Sequence, residues 1–149
     1  MLKGIDPLLN AEVLQALRAM GHGDDLILAD TNFPAESTAV ETVLGELLRI
    51  DAPAPRVARA VLSVFPLDTF VDDAAARMQV VGAPDEMPEV QAEVQRELDA
   101  AEGRDWPLLG IERFDFYDRA RRAFAVIQTG ERRFYGCFAF RKGVIGPDD

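Results

Sequence analysis

The chain has 149 residues, of which 48% are hydrophobic and 28% are charged, close to the average for soluble globular proteins. We therefore predict one domain over residues 1–149 with a core of its own. Sixteen Lys and Arg against 26 Asp and Glu give a formal net charge of -10, which repels phosphate backbones and anionic membrane surfaces. Nucleic acid and membranes are accordingly not expected as partners.

The cysteine and histidine counts limit the chemistry of the chain. Cys137 is the only cysteine and His22 the only histidine, so neither an internal disulfide nor a Cys/His zinc cluster can form. The sequence has no glycine-rich phosphate loop and no Gly-x-Ser-x-Gly elbow. We expect no cofactor and no metal, with a carboxylate-only magnesium or calcium site left open. No segment approaches the roughly 20 apolar residues of a membrane span, and residues 1–6 lack a signal-peptide core, which predicts a cytoplasmic protein.

Two regular elements come first in the chain. A helix is predicted over Ala11 to Met20, with Asn10 as its N-cap and Gly21 at its end. The continuous apolar run from Leu26 to Ala29 predicts a strand buried on both faces, which ends at Asp30. The glycine-flanked histidine between these elements is expected in an open turn.

The middle of the chain is predicted as short elements separated by loops. A loop over Phe33 to Ser37 is expected to pass across the end of the first strand. Residues 43–50 fit either a helix or a strand, with a strand favoured at Leu47 to Ile50. The next elements are, in order, a helix that starts at Pro53 and Pro55 and ends at Pro66, strands at Leu67 to Val71 and Ala75 to Val81, and a helix launched by residues 82–88 that ends near Gly103.

The C-terminal third is rich in predicted strands. Its elements are a strand at Leu108 to Glu112 with Arg113 at its end, a short helix at Phe114 to Arg122, a strand at Phe124 to Thr129, a turn at Gly130-Glu131 and a strand at Phe134 to Lys142. In the last strand Tyr135, Cys137, Ala139 and Arg141 are expected to share one face. Alternating strands and helices predict an α/β fold, a three-layer α/β/α sandwich with a mixed sheet.

Polar residues at predicted strand ends suggest a site for a small hydroxylated molecule. They are His22, Asp30, Asp68, Arg113 and Tyr135. Carboxylates accept from neighbouring sugar hydroxyls, an arginine donates in a fixed fork, and rings such as Phe33 and Tyr117 pack against the apolar face of a pyranose. Each residue also has a structural explanation, as a turn former, a surface ion pair or a half-buried helix residue.

Five stretches carry a resemblance that spans nearly the whole chain. They are Met1 to Leu9, Ala19 to Asp24, Asp30 to Ala35, Arg113 to Ala120 and Thr129 to Gly136. Together they resemble the L-fucose mutarotase and D-ribose pyranase family. Met-Gly-His-Gly-Asp followed by Asp-x-x-Phe-Pro-Ala, Phe-Tyr and Thr-Gly-Glu-x-x-x-Tyr-Gly is similar to the fucose branch.

The resemblance implies an enzyme that interconverts the α and β anomers of a free monosaccharide, L-fucose or a related sugar, without a cofactor. It implies that His22 is the catalytic acid-base residue and that Asp68 assists it. For the mechanism we expect Asp30 or Asp68 to orient the imidazole or to serve as its proton partner. The predicted sugar-binding residues are Asp30, Arg113, Tyr117, Tyr135, Gly136 and Cys137. The family motif runs Tyr-Gly-Asn, and Cys137 in the third position lacks the amide's donors and carbonyl acceptor.

The resemblance also implies a homo-oligomer, a closed ring such as a decamer with sites near subunit boundaries. Three other functions stay open at this point. The chain could be a monosaccharide-binding protein without turnover, linked to sugar uptake or sensing, which Cys137 favours. It could be an interaction protein with a vestigial pocket, or an isomerase for which ring opening is the first step.

Overall fold

The computed structural model describes residues 1–149 and contains six strands and five helices. The strands are β1 (Asp25–Ala29), β2 (Leu48–Ile50), β3 (Ala75–Met78), β4 (Leu109–Ile111), β5 (Ala125–Thr129) and β6 (Phe138–Arg141). The helices are α1 (Ala11–Ala19), α2 (Ala35–Ala39), α3 (Ala54–Leu62), α4 (Glu89–Glu102) and α5 (Arg113–Arg121). None of the five helices combines the length and hydropathy that a membrane-spanning helix requires.

All six strands form one sheet in the order β2-β5-β1-β6-β3-β4. β1 pairs in parallel with β5, β5 with β2, and β3 with β4. β6 lies between β1 and β3 and is antiparallel to both. The predicted mixed sheet is therefore confirmed, and β6 is the strand that makes it mixed.

Helices cover both faces of the sheet, which confirms the three-layer sandwich. Leu26 and Leu28 of β1 point into a cluster of 28 buried residues beneath α1, α3 and α4. Ile27 and Ala29 point to the other face, into a cluster of 13 buried residues with α2 and α5. This alternation follows from the period of two along a strand, and both faces are apolar because both are covered.

Local signals place the helix ends well. The Asn10 side chain accepts a hydrogen bond from the Val13 amide at 2.9 Å, as expected of an N-cap, and α1 ends one residue before its predicted end. α4 ends at Gly103, which has a left-handed φ of 66°. The strand favoured at Leu47 to Ile50 is β2.

Other predicted elements are wrong in extent or type. The predicted loop over Phe33 to Ser37 contains the start of α2, which is too short for a periodic signal. Leu67 to Val71 makes only one isolated bridge, between Leu67 and Lys142, because Asp68 turns the chain by accepting from the Phe70 amide at 3.0 Å.

The remaining differences concern shortened elements. The predicted strand from Ala75 ends at Met78 rather than Val81, and α3 ends at Leu62, before Pro66. The last strand begins at Phe138 and leaves Tyr135 outside it, because Tyr135 has a positive φ of 62° that breaks strand geometry. The expected common face of that strand therefore does not extend to Tyr135.

The helix after β4 differs at its first turn. α5 begins at Arg113 because the Glu112 side chain caps it, accepting from the amides of Phe114 and Asp115 at 2.8 and 3.1 Å. Arg113 therefore belongs to the first turn of a helix, and not to a strand end as predicted. Tyr117 lies four residues later, so the two side chains share one helical face.

Candidate functional site

His22 lies beside the N-terminal end of β1, in a turn built from two glycines. The Gly21 amide donates to Asp24 Oδ2 at 2.7 Å, and the Gly23 amide donates to the Lys142 carbonyl at 2.8 Å. Gly23 has a φ of 88°, a backbone conformation that is strained for any residue with a side chain. This turn leaves the imidazole of His22 46% exposed, so its ring is accessible from outside the protein.

The carboxylate of Asp68 contacts the imidazole of His22. His22 Nε2 lies 3.2 Å from Asp68 Oδ2, and the Asp68 side chain is only 3% exposed. Burial raises the pKa of Asp68, but the Phe70 amide and the contact with His22 outweigh it, so the pKa lies below its ordinary value. An ionised carboxylate only accepts hydrogen bonds, so Nε2 donates to it and Nδ1 is free to take a proton.

A network of ion pairs fixes the segment that carries Asp68. Arg119 and Arg141 both pair with the carboxylate of Asp25, at 2.9 and 3.1 Å. Arg141 also pairs with Asp73 at 3.0 Å, and Arg119 donates to the Asp73 carbonyl at 3.0 Å. The Asp68 amide donates to the Arg141 carbonyl at 3.0 Å. The turn from Asp68 to Asp73 is thus held at both ends, which keeps the carboxylate against His22.

A second group of predicted site residues lies at the other end of β1. Asp30 is buried, and its Oδ1 accepts from the amides of Asn32 and Phe33 at 3.0 and 2.9 Å. Its Oδ2 accepts from the Gly136 amide at 3.2 Å. Asp30 therefore joins the turn after β1 to the segment before β6, in addition to any role towards a ligand.

These residues form a small cavity of about 180 Å³. It is lined by Asp30, Asn32, Phe33, Met78, Arg113, Tyr117, Phe134, Tyr135 and Cys137. Sites for drug-sized ligands begin at about 300 Å³, so this cavity suits a smaller molecule. A larger cavity of about 380 Å³ beside α1 is mainly apolar and lacks such a convergent polar set.

Arg113 and Tyr117 form one wall of the small cavity. Arg113 Nε donates to the Tyr117 hydroxyl at 3.0 Å, and the guanidinium lies 5.4 Å from the centre of the Tyr117 ring. The Phe33 ring meets the Tyr117 ring edge to face at 5.4 Å. The remaining guanidinium donors of Arg113 face solvent or the cavity and can bind a hydroxyl.

The segment from Tyr135 to Cys137 forms the opposite wall. The Tyr135 hydroxyl accepts from the Val81 amide at 3.2 Å. A Cβ on Gly136 would lie 2.7 Å from the Glu131 side chain, so only glycine fits there. Cys137 is buried, and burial together with the Asp30 carboxylate raises the pKa of its thiol well above the ordinary value. A neutral thiol therefore occupies this position.

β1 separates the two groups of predicted site residues. Its five residues rise about 13 Å from the first Cα to the last at roughly 3.3 Å per residue. Of the two carboxylates named as alternatives for orienting His22 or exchanging a proton with it, Asp68 contacts the imidazole, whereas Asp30 lies at the other end of β1. The other predicted residues, Arg113, Tyr117, Tyr135, Gly136 and Cys137, gather around Asp30.

Sequence reasoning missed Glu131, which holds the wall of the cavity in place. Its buried carboxylate accepts from the Ala54 amide at 3.2 Å and from the Arg133 amide and side chain, each at 2.9 Å. Burial raises the pKa of Glu131, but these donors outweigh it and the pKa lies below its ordinary value. The Thr-Gly-Glu motif was the available signal, since Thr129 also donates to the Ala29 carbonyl at 2.9 Å. No group of three or more His, Cys, Asp or Glu residues has the geometry of a metal site.

The fold and the cavity define a class: a single-domain α/β protein with a small cleft of polar and aromatic side chains, suited to a small hydroxylated ligand. Within that class the chain belongs to the RbsD / FucU transport protein family, whose profile matches residues 3–145. The family predicted from the five sequence stretches is thereby confirmed.

Individual relatives cover almost the whole chain. It is 43% identical to the fucose mutarotase of Homo sapiens over 97% of this chain and 94% of that protein. Among solved structures it resembles protein Atu2016, to which sugar binding is provisionally attributed, with a TM-score of 0.96 and 58% identity, covering 98% of this chain and 97% of the other. It also resembles the fucose mutarotase of Streptococcus pneumoniae in complex with L-fucose, with a TM-score of 0.86 and 32% identity, covering 97% and 100%.

Proposed function

We propose that this protein is a mutarotase that interconverts the α and β anomers of a free monosaccharide, L-fucose or a related sugar, without a cofactor. The observation that carries the proposal is the exposed imidazole of His22 held against the buried, ionised carboxylate of Asp68. The fucose mutarotases among its relatives support the same reaction. Its predicted location in the cytoplasm remains a prediction.

Mutarotation needs two proton movements and no redox step. One proton leaves the anomeric hydroxyl while another reaches the ring oxygen, the ring C–O bond breaks, and an open-chain aldehyde results. Rotation about the bond to the aldehyde carbon, followed by the reverse proton transfers, closes the ring as the other anomer. His22 Nδ1 takes the proton of the anomeric hydroxyl and, as imidazolium, gives a proton to the ring oxygen as the C–O bond breaks, so the imidazole returns to its starting state after each ring opening. A positioned group of this kind contributes about 10² to 10⁴ in rate.

The small cavity supplies the binding half of the site. Arg113 donates to hydroxyl oxygens, and Asp30 accepts from hydroxyls with the lone pairs that its backbone donors leave free. The rings of Tyr117 and Tyr135 pack against the apolar face of the sugar. Cys137 contributes a neutral, weakly polar surface at the position where the family motif has Asn.

Because β1 keeps His22 away from this cavity, we propose that two copies of the chain complete each site. The His22 edge of one copy would lie against the cavity of the next, as in the ring that the family resemblance implies. Exposed rings flank both halves: Phe70 stands edge-on to His22, and Phe134 lines the cavity. Light scattering that gives the mass of a monomer would contradict this arrangement.

Magnetisation-transfer NMR at neutral pH tests the activity, with L-fucose and D-ribose as sugars. We expect the protein to accelerate anomer exchange of L-fucose, and His22→Ala to lose most of that acceleration. His22→Gln is the matched control for packing, because its amide can still donate to Asp68 but cannot take up a proton. Equal activity of wild type and His22→Gln in folded samples would overturn the assignment of His22.

A binding protein without turnover is the second candidate, and Cys137 is the observation that favours it. The thiol offers no strong donor to a sugar hydroxyl, so a pocket of this kind can hold a sugar in a pose unsuited to proton transfer. Saturable binding of L-fucose without faster anomer exchange would select this function. Acceleration by wild type would exclude it.

A further inference from the structure

Tyr135 has a strained backbone at the wall of the cavity. It is the only residue other than glycine with a positive φ, at 62°. The left-handed conformation brings the Cβ of a residue with a side chain too close to the carbonyl oxygen that follows it. Strain of this kind persists only where the surrounding structure holds it, so other contacts must keep Tyr135 in place.

Gln91 of α4 makes one of those contacts. It is fully buried, and its Nε2 donates to the carbonyl of Tyr135 at 3.0 Å and to the carbonyl of Met78 at 2.8 Å. Both amide hydrogens of the side chain are thereby used. Gln91 thus joins the strained residue to the end of β3, although it does not line the cavity.

Arg77 of β3 extends the contact to a loop. It donates to Gln91 Oε1 at 3.1 Å and to the carbonyls of Glu86 and Pro84 at 3.2 and 3.1 Å. The residue is buried and takes part in no ion pair, and its Nε has no hydrogen-bond partner. Burying a guanidinium without a carboxylate partner costs free energy. The hydrogen bonds that Arg77 donates hold the loop between β3 and α4 in place.

The same loop returns to Tyr135. The Val81 amide, at the start of the loop, donates to the Tyr135 hydroxyl at 3.2 Å. The hydrogen bonds therefore form a closed chain of contacts. Arg77 donates to Gln91, Gln91 donates to the Tyr135 carbonyl, and the Tyr135 hydroxyl contacts the loop that Arg77 holds. Both ends of the Tyr135 residue are fixed, its carbonyl by α4 and its hydroxyl by the loop.

We propose that Gln91 and Arg77 are positioning residues for sugar binding, which hold the Tyr135 ring at the wall of the cavity. This inference rests on the proposed function, because it assumes that the cavity binds the sugar. Neither residue touches the ligand, and neither acts on proton transfer. Their loss therefore weakens binding and leaves the chemical step unchanged.

The test replaces Gln91 with Met, an unbranched side chain of similar length that cannot donate. We expect Gln91→Met to raise KM for L-fucose about threefold to tenfold, the equivalent of about one net hydrogen bond, with kcat and its pH profile unchanged. Gln95→Met is the matched control, because Gln95 lies one turn further along α4 and donates to Asp99 and to the Trp106 carbonyl, away from the cavity. It should leave KM unchanged.

A double-mutant cycle separates positioning from general destabilisation. In a Tyr135→Ala background, Gln91→Met should no longer raise KM, since the ring through which it acts is gone. Additive effects on KM, or an unchanged KM in folded Gln91→Met, would overturn the proposal. If Gln91→Met does not fold, Arg77→Lys carries the same test, because lysine keeps the charge but loses the fork that spans three acceptors.

Hydrogen exchange in the free protein keeps this test independent of activity. We expect the Val81 amide to exchange faster in Gln91→Met than in wild type or Gln95→Met, because its acceptor on Tyr135 is displaced. Wild type that does not accelerate anomer exchange would contradict the proposed function alone. Unchanged Val81 protection in Gln91→Met would contradict the positioning role alone.

Discussion

The two ends of β1 are built differently. At the N-terminal end, charged side chains pair with one another: Asp68 faces an exposed imidazole, and arginines pair with Asp25 and Asp73. At the C-terminal end, side chains hold backbone: Asp30 accepts three amides, and Gly136 packs where no other residue fits. The first arrangement leaves a titratable ring accessible, whereas the second fixes the shape of a cavity.

The two ends of β1 are therefore suited to different tasks. A group that exchanges protons must change its charge without disturbing the fold, and an exposed ring on one buried carboxylate can do so. A group that selects a sugar must keep its geometry in the absence of ligand, which backbone contacts achieve. Variants of the two ends should accordingly differ in which kinetic constant they change.

Mixing two variants, each impaired in one half of the site, should have the largest effect. His22→Ala lacks the proposed acid-base group, and the double variant Arg113→Met/Tyr117→Ala lacks one wall of the cavity. If each site joins two copies, refolding the variants together at equal amounts should restore about a quarter of the wild-type sites by random pairing across the interface. Anomer exchange by NMR at low sugar concentration measures this. A mixture no more active than the mean of its components would mean that the halves do not meet.

Asp68→Asn should lower kcat about tenfold to a hundredfold, the value of a hydrogen bond to a charged group, with KM nearly unchanged. The amide can still contact His22 but no longer stabilises the protonated ring by its charge. Single-sugar saturation curves by NMR give both constants. A rise in KM without a fall in kcat would assign Asp68 to binding and remove the contrast between the two ends.

Arg113→Met should have the reverse effect. If Arg113 binds the sugar as proposed, the loss of its donors should raise KM about tenfold, because charge-assisted hydrogen bonds are among the stronger ones, while kcat changes little. Arg122→Met, at the C-terminal end of the same helix, serves as the control and should match wild type. A lowered kcat in Arg113→Met would give this residue a part in the proton transfers.

Glu131→Gln should change stability with pH. The pKa of Glu131 lies below its ordinary value, so its ionised form stabilises the fold above about pH 4.3, and this contribution is lost as the pH falls through the lowered native pKa. We expect the variant to be less stable by about 1–3 kcal/mol at pH 7, and the difference to shrink in acid. Chemical unfolding between pH 7 and pH 3 measures it.

Glu102→Gln is a control for which the expected change in stability at neutral pH has the opposite sign. Burial raises the pKa of Glu102, so its ionised form costs stability at neutral pH. This variant should be no less stable than wild type at pH 7. A constant deficit of Glu131→Gln across the whole pH range would show that its lost contacts do not depend on the carboxylate charge.

Local patterns were sufficient for much of this molecule. The apolar run from Leu26 to Ala29, the Asn10 cap and the glycine at the end of α4 each act within a few residues, so the sequence predicted β1, α1 and α4 closely. The family was also predicted from the sequence, because its motifs are each only a few residues long. Short elements, such as the five-residue α2 and the turn at Asp68, span too few residues to show a periodic pattern.

The arrangement of the site depended on tertiary structure. The residues around Asp30 come from segments that are distant in the chain, and so do the residues around His22. Within each group, β6 brings some of these residues together because it pairs antiparallel with β1. This pairing brings Gly136 to Asp30 and Arg141 to Asp25, at opposite ends of β1. The amino-acid sequence thus determined which residue types form the site and the strand and helices that carry many of them. Only the pairing of strands far apart in the chain decided which of those residues meet, because strand pairing is a non-local contact that no local pattern encodes.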